Sequence, residues 1–140
     1  MTDHTILRVI SKLLLPYVLL FALYVQFHGD YGPGGGFQAG VIFAAGFVLY
    51  ALIYGLAAAR RVAPARLVEI LLAIGVLIYG GTGVATMLLG GNFLEYGVFN
   101  AAHPAKGQHL GILIIELGVG TTVAAVMIAI FSTFAGRGRA

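Results

Sequence analysis

Apolar residues fall into four long runs separated by short polar stretches, at about residues 6–27, 37–59, 67–90 and 110–135. As a helix rising 1.5 Å per residue, each of the last three is long enough to cross a hydrocarbon layer of about 30 Å. The first is less clean. Leu13 to Phe27 is short by itself, so the turn from Ile6 to Lys12 must be added, with Arg8 and Lys12 snorkelling to the surface. His28-Gly29-Asp30-Tyr31 follows this run with no small-x-small cleavage site, so the run is expected to stay as the first helix. The expected fold class is all-α and membrane-integral, a single four-span domain over residues 1–140.

Composition agrees with this pattern and removes alternatives. With 60% hydrophobic residues, 9% charged residues and a mean hydropathy of +0.99, too few polar side chains exist to cover a soluble domain. Cysteine is absent, which excludes disulfides, thiolate metal sites and cysteine nucleophiles. The basic residues flank the apolar runs instead of clustering on one face, so they argue for topology and not for nucleic acid. Arg8, Lys12, Arg60, Arg61, Arg66, Arg137 and Arg139 fall on one side and Lys106 alone on the other, which predicts cytoplasmic N- and C-termini. The loop at His28 and the segment from Gly91 to Gly107 then face outward.

Small residues recur along the spans, at Gly36, Gly40, Ala44, Ala45 and Gly46, then Gly75, Gly80, Gly81 and Gly83, then Gly107, Gly111, Gly118 and Gly120. Such positions let helix backbones approach closely, and their number in so short a chain favours a helix array packed into a larger complex over a lone bundle. Pro16 interrupts the first span, frees the carbonyl of Lys12 and is expected to kink the helix. Lys12 either lines an ion path or pairs with Glu69, which opens the third span on the same side. The plainer alternative is a snorkelling lysine and a helix-start glutamate.

Glu116 is harder to excuse. It lies about 9 Å along a helix from Leu110, too deep for a short side chain to reach water along a lipid-facing wall, so it should face protein or a hydrated cavity. His109 stands two turns earlier on the same face, at the outer mouth of that stripe. Together they could pass cations or protons, with no metal beyond a transient Na+ near Glu116. The competing reading is a protonated structural glutamate bonded to a neighbouring helix.

The loop from His28 to Gly36 joins His28 and Asp30 to a helix start marked by Pro33, Gly34, Gly35, Gly36, Phe37 and Gln38. Exposed amides at such a start attract carboxylates or anions. A phosphate loop is excluded, because Phe37-Gln38 stands where a Lys-Ser/Thr pair is needed. The plain reading is a compact turn that lets two helices approach closely; in an ion-transport subunit the same turn would seal the outer side against a partner. Asn92, Glu95, Tyr96 and His103 form no nucleophile and base arrangement, so no enzyme activity is expected. With Phe93, Val98 and Phe99 they read as an aromatic lid at the membrane interface.

His28-Gly29, then Pro33-Gly34-Gly35-Gly36-Phe37-Gln38 and Gly40, set between apolar spans, resembles the B subunit of Mrp-type (Mnh) multisubunit sodium/proton antiporters. Ala39 departs from that pattern, in which another glycine is frequent. The resemblance implies a small accessory subunit, without a cofactor, in a bacterial-type plasma-membrane complex that exchanges cytoplasmic Na+ for external H+. The implied partners are other hydrophobic subunits, the lipid bilayer, Na+ and H+, and no nucleic acid. Two other readings stay open: a purely structural scaffold subunit, and a self-sufficient homo-oligomeric channel or exporter.

Overall fold

The computed structural model describes residues 5–137, so Arg139 lies outside the described residues. The chain forms α1 (Thr5–His28), α2 (Gly36–Tyr54), a short α3 (Leu56–Val62), α4 (Ala65–Leu88), a 3-10 turn (Tyr96–Asn100) and α5 (Pro104–Gly136). Helices α1, α2, α4 and α5 are each long and apolar enough to cross a membrane, as the four runs predict.

Two boundaries differ from expectation, each for a backbone reason. The second run does not continue to residue 59 as one helix. Gly55 adopts a φ of +89°, which ends α2 and redirects the chain into α3. The fourth helix starts at Pro104, six residues before the apolar run begins. Proline is tolerated in a first helical turn because its missing N–H would have no partner there. Helix α1 runs unbroken through Pro16.

The four long helices form a row in the order α1, α2, α5, α4, with α5 packed between α2 and α4. The core is made of Ala44, Phe47 and Ala51 of α2, Ala59 of α3, Val68 of α4, and Ala125 and Ile128 of α5. Most of these are small, so the helices meet backbone to backbone with little interlocking of large side chains. At the α4–α5 crossing, a Cβ on Gly75 would stand 2.7 Å from the carbonyl oxygen of Gly118. Helix α1 lies at one edge of the row, and its outward side exposes Ile6, Leu13, Tyr17 and Leu20. Hydroxyls inside the apolar layer bond back to their own helices: Thr82 donates to Ile78 (2.7 Å) and Thr122 to Gly118 (2.8 Å).

The start of α1 and the end of α5 lie at one end of the row. The Tyr54 hydroxyl donates to the Arg8 carbonyl at 2.8 Å, and Arg60 Nη2 donates to the Ser132 carbonyl at 3.4 Å. Arg8, Arg60, Arg61, Arg66 and Arg137 therefore share a basic end. The α1–α2 loop and the 89–103 segment share the opposite end, called the loop end below.

At the loop end, the 89–103 segment folds onto the helices. The Phe93 ring covers Gly83 and the Tyr96 ring covers Gly111, so glycines on α4 and α5 serve as seats for rings expected at the membrane interface. Thr86, fully buried, holds the segment by accepting from the Leu94 N–H at 3.0 Å.

Candidate functional site

The α1–α2 loop turns back on the helix it leaves. Tyr31 N and Gly32 N donate to the His28 carbonyl (3.0 and 3.1 Å), and Gly35 N donates to the Val25 carbonyl at 3.2 Å. This reversal carries Gly29, Gly35 and Gly36 onto α5 at Glu116. A Cβ on Gly29 would collide with the Glu116 carboxylate, and one on Gly36 with the Glu116 backbone carbonyl. At Gly35, whose φ is +119°, the carboxylate Oε1 stands 3.1 Å from where a Cβ would sit. The glycines are needed for close approach, and the group they approach is Glu116.

The glycine loop after α1 and the glutamate of α5 are therefore neighbours. Glu116 sits at the level of the loop. Helix α5 begins at Pro104, so Glu116 lies about 18 Å along it, and the first turns of α5 stand beyond the end of α1 at His28. Distance along one helix does not set depth relative to another.

Two turns before Glu116, His109 Nδ1 bonds Asp30 Oδ2 of the loop, and the edge of Tyr31 meets the His109 ring with centroids 5.9 Å apart. His109 is half exposed (51%), which keeps this hydrogen-bonded pair in contact with the surroundings. The loop is thus fastened to α5 twice, by an outer hydrogen bond and an inner glycine cradle. His28 belongs to neither: its ring stacks on Tyr24 (5.2 Å) and lies under Gly32. Pro33, Phe37 and Gln38 are exposed, and Gly34 is held against the Val25 carbonyl. Gln38 Oε1 lies 3.6 Å from the Cβ position of Gly35, at the rim of the cradle.

Glu116 is half-buried, and no side chain hydrogen-bonds its carboxylate among the described residues. Helix α2 begins at Gly36, against Glu116, and the first amides of a helix have no intrahelical acceptor. A carboxylate in glycine-cleared space can hold a proton or a monovalent cation. Among the described residues no group of three or more metal-ligating side chains forms, so a resident multivalent metal has no ligand set here.

Gln26 was not singled out from the sequence. It is buried (6% exposed) on the last turns of α1, with its Oε1 against Gly120, one turn beyond Glu116 on α5. The Gly36 carbonyl lies 3.2 Å from the Cβ position of the same Gly120. Gln26 Nε2 is enclosed without a hydrogen-bond partner among the described residues. The signal was available, since Gln26 is the one amide in the first apolar run.

Lys12 and Glu69 lie away from this site, and the ion pair considered for them does not form among the described residues. They stand on α1 and α4, at opposite edges of the row. Lys12 faces a groove with Pro16, Tyr50 and Tyr54, whereas Glu69 shares a small groove with Arg60 and Thr133. In the 89–103 segment, Glu95 accepts from Asn92 N and Nδ2 (2.7 and 2.9 Å) and so fixes its own turn. His103 precedes Pro104, and its N–H donates to Asn100 Oδ1 at 3.0 Å. Burial, with Tyr79 adding to it, pushes the Tyr96 phenol above its ordinary range.

Residues 6–129 match the domain family described as related to the MnhB subunit of Na+/H+ antiporter. Proteins named antiporter subunit mnhB2 from Staphylococcus aureus strains Newman, NCTC 8325 / PS 47 and bovine RF122/ET3-1 are 32% identical over 136 residues, covering 96% of this chain and 96% of their own length.

Proposed function

The chain belongs to the MnhB family of Na+/H+ antiporter subunits, and from that premise we propose that Glu116, with His109 outside it, contributes a protonatable step to the ion route of the complex. As a family member it is a multi-pass bacterial plasma-membrane protein and a component of a multisubunit ion-transport assembly. In the proposed arrangement the basic end is cytoplasmic and the loop end faces outward. External protons and cytoplasmic Na+ are exchanged, and a proton or Na+ resides in passing on the Glu116 carboxylate.

The observation that carries this reading is the cradle itself. Three glycines keep Cβ atoms away from a half-buried carboxylate on a spanning helix, one that no side chain hydrogen-bonds among the described residues. A carboxylate in low-dielectric surroundings is expensive, and such residues usually face a functional cavity or a partner. Asp30 and His109 supply polar groups on the outer side of the same stripe.

A purely structural role has its own support, because Gly36 packs on the backbone of Glu116, a contact that needs no charge. Glu116→Gln separates the two, since it preserves shape and hydrogen-bonding capacity while removing the titration. In the intact complex, Na+/H+ exchange measured in everted membrane vesicles should fall by about tenfold or more, equivalent to ~1.4 kcal/mol of barrier. Normal exchange by a fully assembled Glu116→Gln complex would leave only the structural role.

A further inference from the structure

Toward the basic end, residues of α1 and α2 line a groove of about 600 Å³, within the range of about 300–1,000 Å³ typical of small-molecule sites. Its floor and walls are apolar, including Leu15, Pro16 and Phe47, while one side is formed by the stacked rings of Tyr50 and Tyr54, with centroids 4.7 Å apart. The groove has a cation at its mouth. Lys12 lines it, is exposed, and has no carboxylate within ion-pair distance among the described residues.

Two further features place polar chemistry at that mouth. Arg8 lies one turn before Lys12 on the same face of α1, and its carbonyl accepts the Tyr54 hydroxyl at 2.8 Å, which pins this turn of α1 beside the aromatic wall. Pro16 has no N–H to donate to the Lys12 carbonyl, so an unclaimed acceptor stands beside the cation. An apolar trough opening onto cations, an acceptor and tyrosines, at the basic end of a membrane protein, has the charge and polarity of one class of molecule.

We propose that this groove binds a phospholipid with an anionic headgroup, its phosphate at Lys12 and Arg8 and an acyl chain along Leu15, Pro16 and Phe47. Basic clefts between spanning helices suit such headgroups, because the cation stays at the interface while the apolar walls replace bilayer contacts. The site is remote from Glu116 and does not depend on the ion-route reading.

The test uses membranes containing the complete antiporter complex, reconstituted with photoreactive phosphatidylglycerol or with photoreactive phosphatidylcholine as the uncharged-headgroup control. Labelled peptides from this chain should map to α1 and α2 around Leu15 and Phe47 with phosphatidylglycerol, and labelling should be weak with phosphatidylcholine. Lys12→Arg should retain the label, whereas Lys12→Gln should lose about fivefold, the effect of one cation near an anionic headgroup. Absence of label at the groove in the unaltered complex would overturn the proposal, as would equal labelling by both lipids. So would a Leu15→Cys crosslink to another subunit, since a partner helix would then fill the groove.

Discussion

The two ends of the helix row handle charge in opposite ways. At the loop end, Asp30 is bonded to His109, and Glu116 is enclosed by loop glycines whose missing side chains make the space. At the basic end, arginines and Lys12 project near helix termini, and the one cationic side chain that bonds across elements among the described residues, Arg60 to the Ser132 carbonyl, does so at a long 3.4 Å. Charges that can reach a headgroup or water need little from the fold. A carboxylate on an intramembrane helix requires the surrounding backbone to be shaped for it.

The sharpest way to break this contrast is Gly36→Val. Its Cβ would strike the Glu116 backbone, which cannot rotate away, so overpacking should cost about 3 kcal/mol or more. Thermal unfolding of the detergent-extracted complex, or loss of its assembly, should register this. Gly80→Ala is the matched control: a Cβ there meets no atom of the described residues within 4 Å, and alanine should stabilise the helix by about 1 kcal/mol. If both variants behaved alike, close packing at Glu116 would not distinguish the loop end.

A smaller change sharpens what lies beneath the cradle. An enclosed amide with no partner costs about 1–3 kcal/mol, so Gln26→Leu should raise stability by about 1 kcal/mol while leaving assembly intact. A fall in melting temperature would mean that the Gln26 amide finds an acceptor in the assembled complex. The smallest effect is expected for Asp30→Asn. Its partner is half exposed, so removing the pair should cost about 0.2–1 kcal/mol, and the difference from the unaltered chain should shrink at high salt. A salt-independent loss would identify a structural contact in place of an ion pair.

Much of the architecture was legible from the chain alone. The four apolar runs, the flanking cations and the spacing of small residues anticipated four spanning helices in close contact, because period, length and interfacial charge are local properties. Boundaries were less legible where single residues decide them. Gly55 cuts the second run by adopting positive φ, and Pro104 opens α5 inside a stretch that reads as loop. The aromatic segment was identified as interfacial, yet the seating of Phe93 on Gly83 and Tyr96 on Gly111 depends on which glycines come to face it.

The site was legible in its parts but not in its assembly. Glu116, His109, Asp30 and the glycine run each stand out in the sequence, and periodicity correctly places His109 and Glu116 on one stripe of α5. Residue order alone specifies an apolar four-span chain with one carboxylate in its last apolar run and a glycine-rich turn after its first. Only the tertiary structure decided that these two features are one place, and that Lys12 and Glu69 are not a pair. Helical periodicity sets the angle of a residue around its own axis, whereas the axial offset and order of neighbouring helices are set by packing between segments far apart in the chain.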